Sequence, residues 1–151
     1  MIQYAETEAR MEFDITQGSY NRGGVSASAG THDGGGAVDI SVKGLSMPQI
    51  RMILRALKDT GFAAWYRPTR EGVWNEHIHA IAIGCVDLSP LAKRQVTAFD
   101  AKRDGLVSNN KDLSYRPKPA VIFDALKRKP VPRVKTRAAK VKHVINVIKK
   151  G

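Results

Sequence analysis

The balance of charged residues changes abruptly after Tyr115, and this break limits how much of the chain can form a folded domain. Residues 1–115 carry 13 basic and 13 acidic side chains, whereas residues 116–151 carry 12 basic side chains and one acidic side chain, Asp124. At 151 residues the chain has room for one globular domain and a short appendage. We therefore predict a neutral domain over residues 1–115 that carries a strongly basic tail.

The tail itself divides into two parts. The proline-rich stretches at residues 116–119 and 129–133 cannot hold a sheet ladder or a helix, so they predict an extended linker. Beyond them, apolar residues recur at helical spacing among lysines and arginines, which predicts a basic amphipathic helix. This apolar stripe consists of Val134, Ala138, Val141, Ile145 and Ile148.

Periodicity within the first 115 residues predicts an α+β domain, with helices packed on a small antiparallel sheet. The segment 1–11 has weak helical character, and further helices are expected from Ser46 to Gly61 and from Ser89 to Asp104. Strands are expected at residues 11–16, 37–42, 62–67 and 77–84. Residues 18–36 contain seven glycines, which predicts a long shaped loop of the kind that often carries function.

The single cysteine and the amino-terminal residues exclude several classes of protein. The single cysteine, Cys85, excludes an internal disulfide and a Cys-pair zinc ribbon, and its apolar context predicts a buried strand residue rather than a nucleophile. The first residues show no basic and apolar pattern of a signal peptide, and the apolar runs are too short to span a bilayer. We expect a soluble protein made in the cytoplasm, which needs another agent for its release if it works outside the cell.

Three of the four histidines lie in two short segments, residues 30–39 and 74–79. A catalytic zinc ion takes two or three imidazoles, often with one carboxylate, and keeps one position for water. The glycines after His32 allow the loop to fold back and bring its imidazole to Asp39. His77 and His79 are two residues apart and share one face of a strand. The sequence predicts a zinc site with His32, Asp39 and His79 as ligands, and with His77 beside the metal.

The spacing of these residues also resembles the sequence motif of a known protein family. His32-x-x-Gly35-x-Ala37-x-Asp39, followed by Glu76-x-x-His79, resembles zinc peptidases that cleave D-alanyl-D-alanine or L-alanyl-D-glutamate bonds in peptidoglycan. That family shares its fold with hedgehog signalling domains and is related to lysostaphin-type enzymes. The segment 28–41 also resembles phage-encoded members from actinobacterial hosts. The resemblance covers residues 13–110, and it implies the same three zinc ligands with Glu76 as the general base.

The chain departs from the family pattern at two places. The family usually has Ser two residues before the first histidine, where this chain has Gly30. Many members also place an arginine upstream to steady the substrate carbonyl or carboxylate. In the equivalent segment of this chain, Gln17, Tyr20 and Arg22 are the candidates for that substrate-binding role.

The strand period that places His77 and His79 on one face does not place Glu76, the candidate general base, on that face. Residues 76 and 79 of a regular strand point to opposite faces, so Glu76 reaches the metal only if it precedes the strand or a bulge turns it. We expect strand pairing to begin after Glu76. His77 is the second candidate for proton transfer or oxyanion stabilisation, because the first histidine of the lysostaphin-type HxH pattern assists catalysis.

The resemblance implies a zinc-dependent peptidoglycan peptidase, either a phage endolysin or a virion- or tail-associated enzyme that opens the cell wall. Such a protein is made in the host cytoplasm and acts at the wall after release, or is carried in the virion. The alternative is a virion structural or binding protein that uses the peptidase-like fold as a scaffold. The basic tail is suited to an anionic wall polymer, a membrane surface or a phage virion protein. Its charge also suits nucleic acid, but no sequence-specific binding motif is present.

Overall fold

The computed structural model describes residues 1–114, which form an α+β fold with a four-stranded antiparallel sheet and three α-helices. The predicted α+β class with a small antiparallel sheet is confirmed. The linker and amphipathic helix predicted over residues 116–151 lie outside the described residues. The helices are α1 (Ile2–Ala9), α2 (Met47–Asp59) and α3 (Pro90–Asp100), and the strands are β1 (Ile15–Gln17), β2 (Ala37–Ser41), β3 (Phe62–Arg67) and β4 (His77–Ala82).

The sheet has the strand order β1-β2-β4-β3, and each pair of neighbours is antiparallel. One face packs against α1 and α2, with Ile78 and Ala80 of β4 in this core. The other face packs against α3, with Trp65 and Ile81 beside Phe99. Because side chains alternate along a strand, β3 and β4 each contribute to both cores. No helix among residues 1–114 has the length and apolar character needed to cross a bilayer.

Both long helices begin where local chemistry predicts. Ser46 and Gln49 form a capping box at α2, in which the Gln49 Oε1 accepts from the Ser46 backbone N–H at 2.8 Å. Ser89 caps α3, because its hydroxyl accepts from the Ala92 N–H at 3.1 Å. α3 ends at Asp100, earlier than the predicted stop at Asp104.

Two strands and the placement of Cys85 also differ from the sequence prediction. β1 covers Ile15–Gln17 instead of residues 11–16, and its register shifts between Ile15 and Gln17, so Ile15 is 41% exposed although the predicted alternation places it on the buried face. Pairing in β4 stops at Ala82 because the chain turns at Gly84, which has φ +83°. Cys85 therefore lies in a turn and is half-buried, which corrects the prediction of a buried strand residue.

Candidate metal centre

Strand pairing places the predicted site residues in two rows on the α3-facing side of the sheet. The first row crosses all four strands and consists of Gln17, Asp39, His79 and Trp65. The second row lies one pleat away and consists of Ser41, His77 and Arg67. His77 and His79 therefore share one face of the sheet, as predicted, because side chains alternate along β4 with a period of two residues.

The glycine-rich loop brings His32 to this face. The loop folds back on itself through the Asn21 N–H, which donates to the His32 carbonyl oxygen at 2.9 Å. Gly34 passes so close to the segment after β4 that an added Cβ would lie 2.1 Å from the Asp87 carbonyl oxygen, so only glycine fits there. The His32 side chain is 1% exposed as a result.

The three predicted ligands converge. His79 Nδ1 lies 2.6 Å from Asp39 Oδ1, and His32 Nε2 lies 3.4 Å from Asp39 Oδ2. One ligand atom from each of the three residues falls within 4.8 Å of the others, so the group could hold a metal ion. The prediction that His32, Asp39 and His79 come together is confirmed as geometry.

Each imidazole has an oxygen acceptor outside the group. His32 Nδ1 lies 3.1 Å from the Gly18 carbonyl oxygen, which only accepts, so Nδ1 carries the hydrogen and Nε2 keeps its lone pair toward Asp39. His79 lies between two acceptors, Asp39 Oδ1 at 2.6 Å from Nδ1 and Gln95 Oε1 at 2.8 Å from Nε2. A neutral imidazole donates to only one of them: without a metal Nδ1 can donate to Asp39, whereas a metal ion at Nδ1 requires that Nε2 donate to Gln95.

Electrostatics keeps the Asp39 carboxyl ionised. Burial raises the pKa of Asp39, but hydrogen bonds to His32 and His79 outweigh burial and hold that pKa well below its usual range. Burial lowers the pKa of His79 by more than Asp39 raises it. Burial also lowers the pKa of His32, but the contacts with Asp39 and with the Gly18 carbonyl leave that pKa above its usual value. An ionised carboxylate and a neutral His79 are the protonation states of metal ligands.

The two candidates for proton transfer lie in different surroundings. His77 Nε2 is 4.0 Å from Asp39 Oδ1, and the side chain is 18% exposed. Glu76 immediately precedes β4, as expected, but its Oε2 accepts from the Tyr66 hydroxyl at 2.6 Å. Tyr66 packs against the core on the α2 side of the sheet. The Glu76 carboxylate therefore contacts Tyr66, while Glu76 also lines the cavity that the three predicted ligands face.

Only one of the three candidates for substrate binding faces the cavity above the ligands. Gln17 lines it, is 9% exposed, and has a side-chain Nε2 without a hydrogen-bond partner among residues 1–114. The Tyr20 hydroxyl instead donates to Asp87 at 3.0 Å. The Arg22 side chain is 85% exposed and lies 4.0 Å from Asp33.

The cavity has a volume of about 1260 Å³ and contains residues that the sequence did not single out. Gln95 was missed because only the docking of α3 brings it to His79. Four basic side chains were also missed, because they come from segments far apart in the sequence. They are Lys43, Arg67, Arg70 and Arg94.

Comparison with protein-family models, curated proteins and solved structures finds no match for this chain.

Replacing Gln95 with Leu should weaken metal binding about 10- to 100-fold, because hydrogen-bond partners of this kind orient a ligating imidazole and fix its tautomer. Competition with a chromogenic chelator measures the affinity in the full chain. Gln3→Leu, the same substitution at an exposed site on α1, should leave the affinity unchanged. Equal affinities in the two variants would contradict the role assigned to Gln95.

Proposed function

We propose that this protein is a zinc-dependent peptidoglycan peptidase with the hedgehog-like peptidase fold. One observation carries the proposal: two imidazoles and a carboxylate converge at an open cavity, with the outer nitrogen of each imidazole held by an oxygen acceptor. Three ligands of this type with room for a fourth are typical of catalytic zinc sites. Imidazole ligands also favour zinc over magnesium or calcium, which prefer oxygen.

A bound zinc ion would supply a nucleophilic water and polarise the scissile carbonyl. The proton released in hydrolysis needs an acceptor on the same face of the sheet. His77 Nδ1 lies 2.7 Å from the Asn75 carbonyl oxygen, so Nδ1 carries the hydrogen and Nε2 is free to accept a proton. Since Nε2 is also the atom nearest Asp39, the geometry favours His77 as the general base. Glu76 is the second candidate, because the Tyr66 hydroxyl occupies only Oε2 and Glu76 also lines the cavity.

Gln17 is suited to bind the substrate carbonyl. Its Oε1 accepts from the Ser28 hydroxyl at 3.0 Å, which directs the amide nitrogen away from Ser28. A buried N–H without a partner is costly, so an acceptor from the substrate would satisfy it. A neutral amide would thus replace the arginine found at this place in many members of the family. Donors of this type stabilise the charge that develops on a carbonyl oxygen.

The setting that we propose is the wall of a bacterial host, reached either as a phage endolysin or as a virion- or tail-associated enzyme. The support is the resemblance of residues 28–41 to phage-encoded peptidases and the 12 basic residues beyond Tyr115. Such a tail attracts anionic wall polymers or a membrane surface by releasing counterions, or attaches the domain to a virion partner.

A scaffold without catalysis is the second candidate function. The observation that favours it is the hydrogen bond between Glu76 and Tyr66, which engages the carboxylate at the position of the family's general base. In that case the metal, if bound, stabilises the fold of a virion structural or binding protein.

Digestion of purified actinobacterial peptidoglycan by the zinc-loaded full chain distinguishes the two functions. Hydrolysis of a peptide bond should release new amino groups without new reducing sugar ends, and a chelator should abolish the release until zinc is restored. Protein that holds zinc but releases no amino groups would favour the scaffold.

A further inference from the structure

Trp74 presents an aromatic ring on the wall of the cavity, in the exposed turn between β3 and β4. The backbones of Arg70 and Trp74 close this turn, because each N–H donates to the carbonyl oxygen of the other residue at 3.0 Å. The indole Nε1 donates to the Pro68 carbonyl oxygen at 3.0 Å, and the Arg70 guanidinium carbon lies 5.6 Å from the ring centre. These contacts fix the ring while Trp74 remains partly exposed, so the ring is preorganised to contact a ligand.

A purely structural role for Trp74 explains its N–H but not its place in the cavity wall. The contact with Pro68 uses the single polar group of the indole, so the rest of the ring offers the cavity only apolar surface. Val73, the preceding residue, is 41% exposed and also lines the cavity. Exposed apolar side chains grouped at a cavity are typical of ligand-binding grooves.

Neutral hydrogen-bonding groups accompany this apolar surface. Thr69 and Asn75 are exposed residues of the same turn, and Ser41 of β2 is the cross-strand partner of His77. All three line the cavity. Hydroxyl and amide side chains both donate and accept hydrogen bonds, as the hydroxyl groups of a sugar do. An aromatic ring with such groups around it is suited to a sugar.

The proposed substrate contains one kind of group that matches the ring. The alanine and glutamate residues of a stem peptide offer small methyl groups and charged groups. The pyranose rings of the glycan strand, to which the peptide is attached, offer a broad face of C–H groups. The face of an aromatic ring carries partial negative charge and attracts the partial positive charge of these C–H groups. The chemistry of Trp74 therefore favours the sugar over the peptide.

Trp74 also lies beside the site of the proposed reaction. Its ring centre is 6.3 Å from that of His77, with the two ring planes at 86°. This separation is about the length of two residues of extended chain. A sugar on Trp74 and a peptide bond near His77 can therefore belong to one substrate molecule.

We propose that Trp74 binds a pyranose ring of the glycan strand, so that the protein prefers stem peptides that are still attached to their sugar. This inference rests on the proposed peptidase function and names a second part of the substrate. Trp74 would thereby determine specificity, while the predicted metal ligands and His77 carry the reaction.

Two small ligands test the proposal on the zinc-loaded full chain: N-acetylmuramyl-L-alanine and D-lactyl-L-alanine, which differ only in the sugar. Neither contains a bond between two amino acids, so hydrolysis of such a bond does not interfere with the measurement. In NMR titrations the ligand with the sugar should bind about 10-fold more tightly, because it covers the face of an aromatic ring. Equal affinities for the two ligands would overturn the proposal.

Variants then assign the preference to one residue. Trp74→Ala should reduce the ratio of the two affinities to near 1, and Trp74→Phe should retain part of it because a smaller aromatic face remains. Val107→Ala, which shortens another exposed apolar side chain in the cavity wall, should keep the ratio. A folded Trp74→Ala protein that retains the full ratio would reject the assignment, and thermal unfolding confirms that each variant is folded.

Cleavage assays separate this inference from the proposed function. The substrates are a purified disaccharide pentapeptide and the same pentapeptide without sugar. Faster cleavage of the first by the zinc-loaded chain, together with the binding preference, supports both proposals. A binding preference without any cleavage would support the sugar site and reject the peptidase. Cleavage of both at equal rates, with equal binding, would support the peptidase and reject the role of Trp74.

Discussion

Replacing His79 with Ala should remove the metal from the full-length protein and reduce hydrolysis to background. The wild-type protein should carry about one zinc ion per chain, whereas the two remaining ligands, His32 and Asp39, hold zinc poorly. His32→Ala should have the same effect, since it also leaves two ligands. Elemental analysis after gel filtration measures the stoichiometry, and circular dichroism confirms that the variants remain folded.

His77→Ala is the matched control for this loss of metal. It removes an imidazole from the same face of the same strand but from outside the ligand group, so zinc should remain bound. Unchanged zinc content in both His32→Ala and His79→Ala would show that the metal is held elsewhere.

The same His77→Ala variant should lower turnover by roughly 10²- to 10⁴-fold, the contribution typical of a positioned general base. The expected reason is that His77 Nε2 lies on the face of the ligands, with its proton-accepting lone pair free. Glu76→Gln should have a smaller effect, because the structure places this carboxylate against the Tyr66 hydroxyl. Rates of amino-group release from peptidoglycan at saturating zinc give the comparison.

Tyr66→Phe completes this comparison. The variant releases Glu76 without altering the ligands, and turnover should change little if His77 accepts the proton. A severe loss in Glu76→Gln beside a mild one in His77→Ala would instead establish the ExxH arrangement of the family. Negligible effects of both would favour the scaffold.

The convergence of the three predicted ligands could be foreseen because the placement of these residues depends on short-range geometry. His77 and His79 share a face through the strand period, and Asp39 lies on a strand that begins two residues earlier. The glycines between His32 and Asp39 indicated a loop that could fold back, as it does. Helix starts were predictable for the same reason, since capping involves residues within one turn.

Residues that depend on long-range packing could not be predicted. Gln95 reaches His79 because Trp65 and Phe99 dock α3 on the sheet, and nothing in the local spacing indicates that contact. The sequence assigns Arg67 to a strand but does not predict that its side chain lines the cavity. Its hydrogen bond to the Asp104 carbonyl depends on how the irregular segment after α3 folds.

The remaining wrong predictions concern β1 and the glycine-rich loop that follows it. The register shift in β1 leaves Ile15 41% exposed, although alternation places it on the same buried face as Phe13. Tyr20 adopts a left-handed conformation with φ +58°, and its hydroxyl contacts Asp87 rather than the cavity. Proximity in sequence therefore did not place Tyr20 and Arg22 beside Gln17.

We propose that this face of the sheet builds a metal centre from the side chains of His32, Asp39 and His79. Anomalous diffraction at the zinc absorption edge, from crystals of the zinc-loaded full chain, tests it most directly. A single peak should lie at ~2.0–2.2 Å from His32 Nε2, from an Asp39 carboxylate oxygen and from His79 Nδ1. A peak bound by other residues, or none at this group in crystals whose protein contains stoichiometric zinc, would contradict the claim.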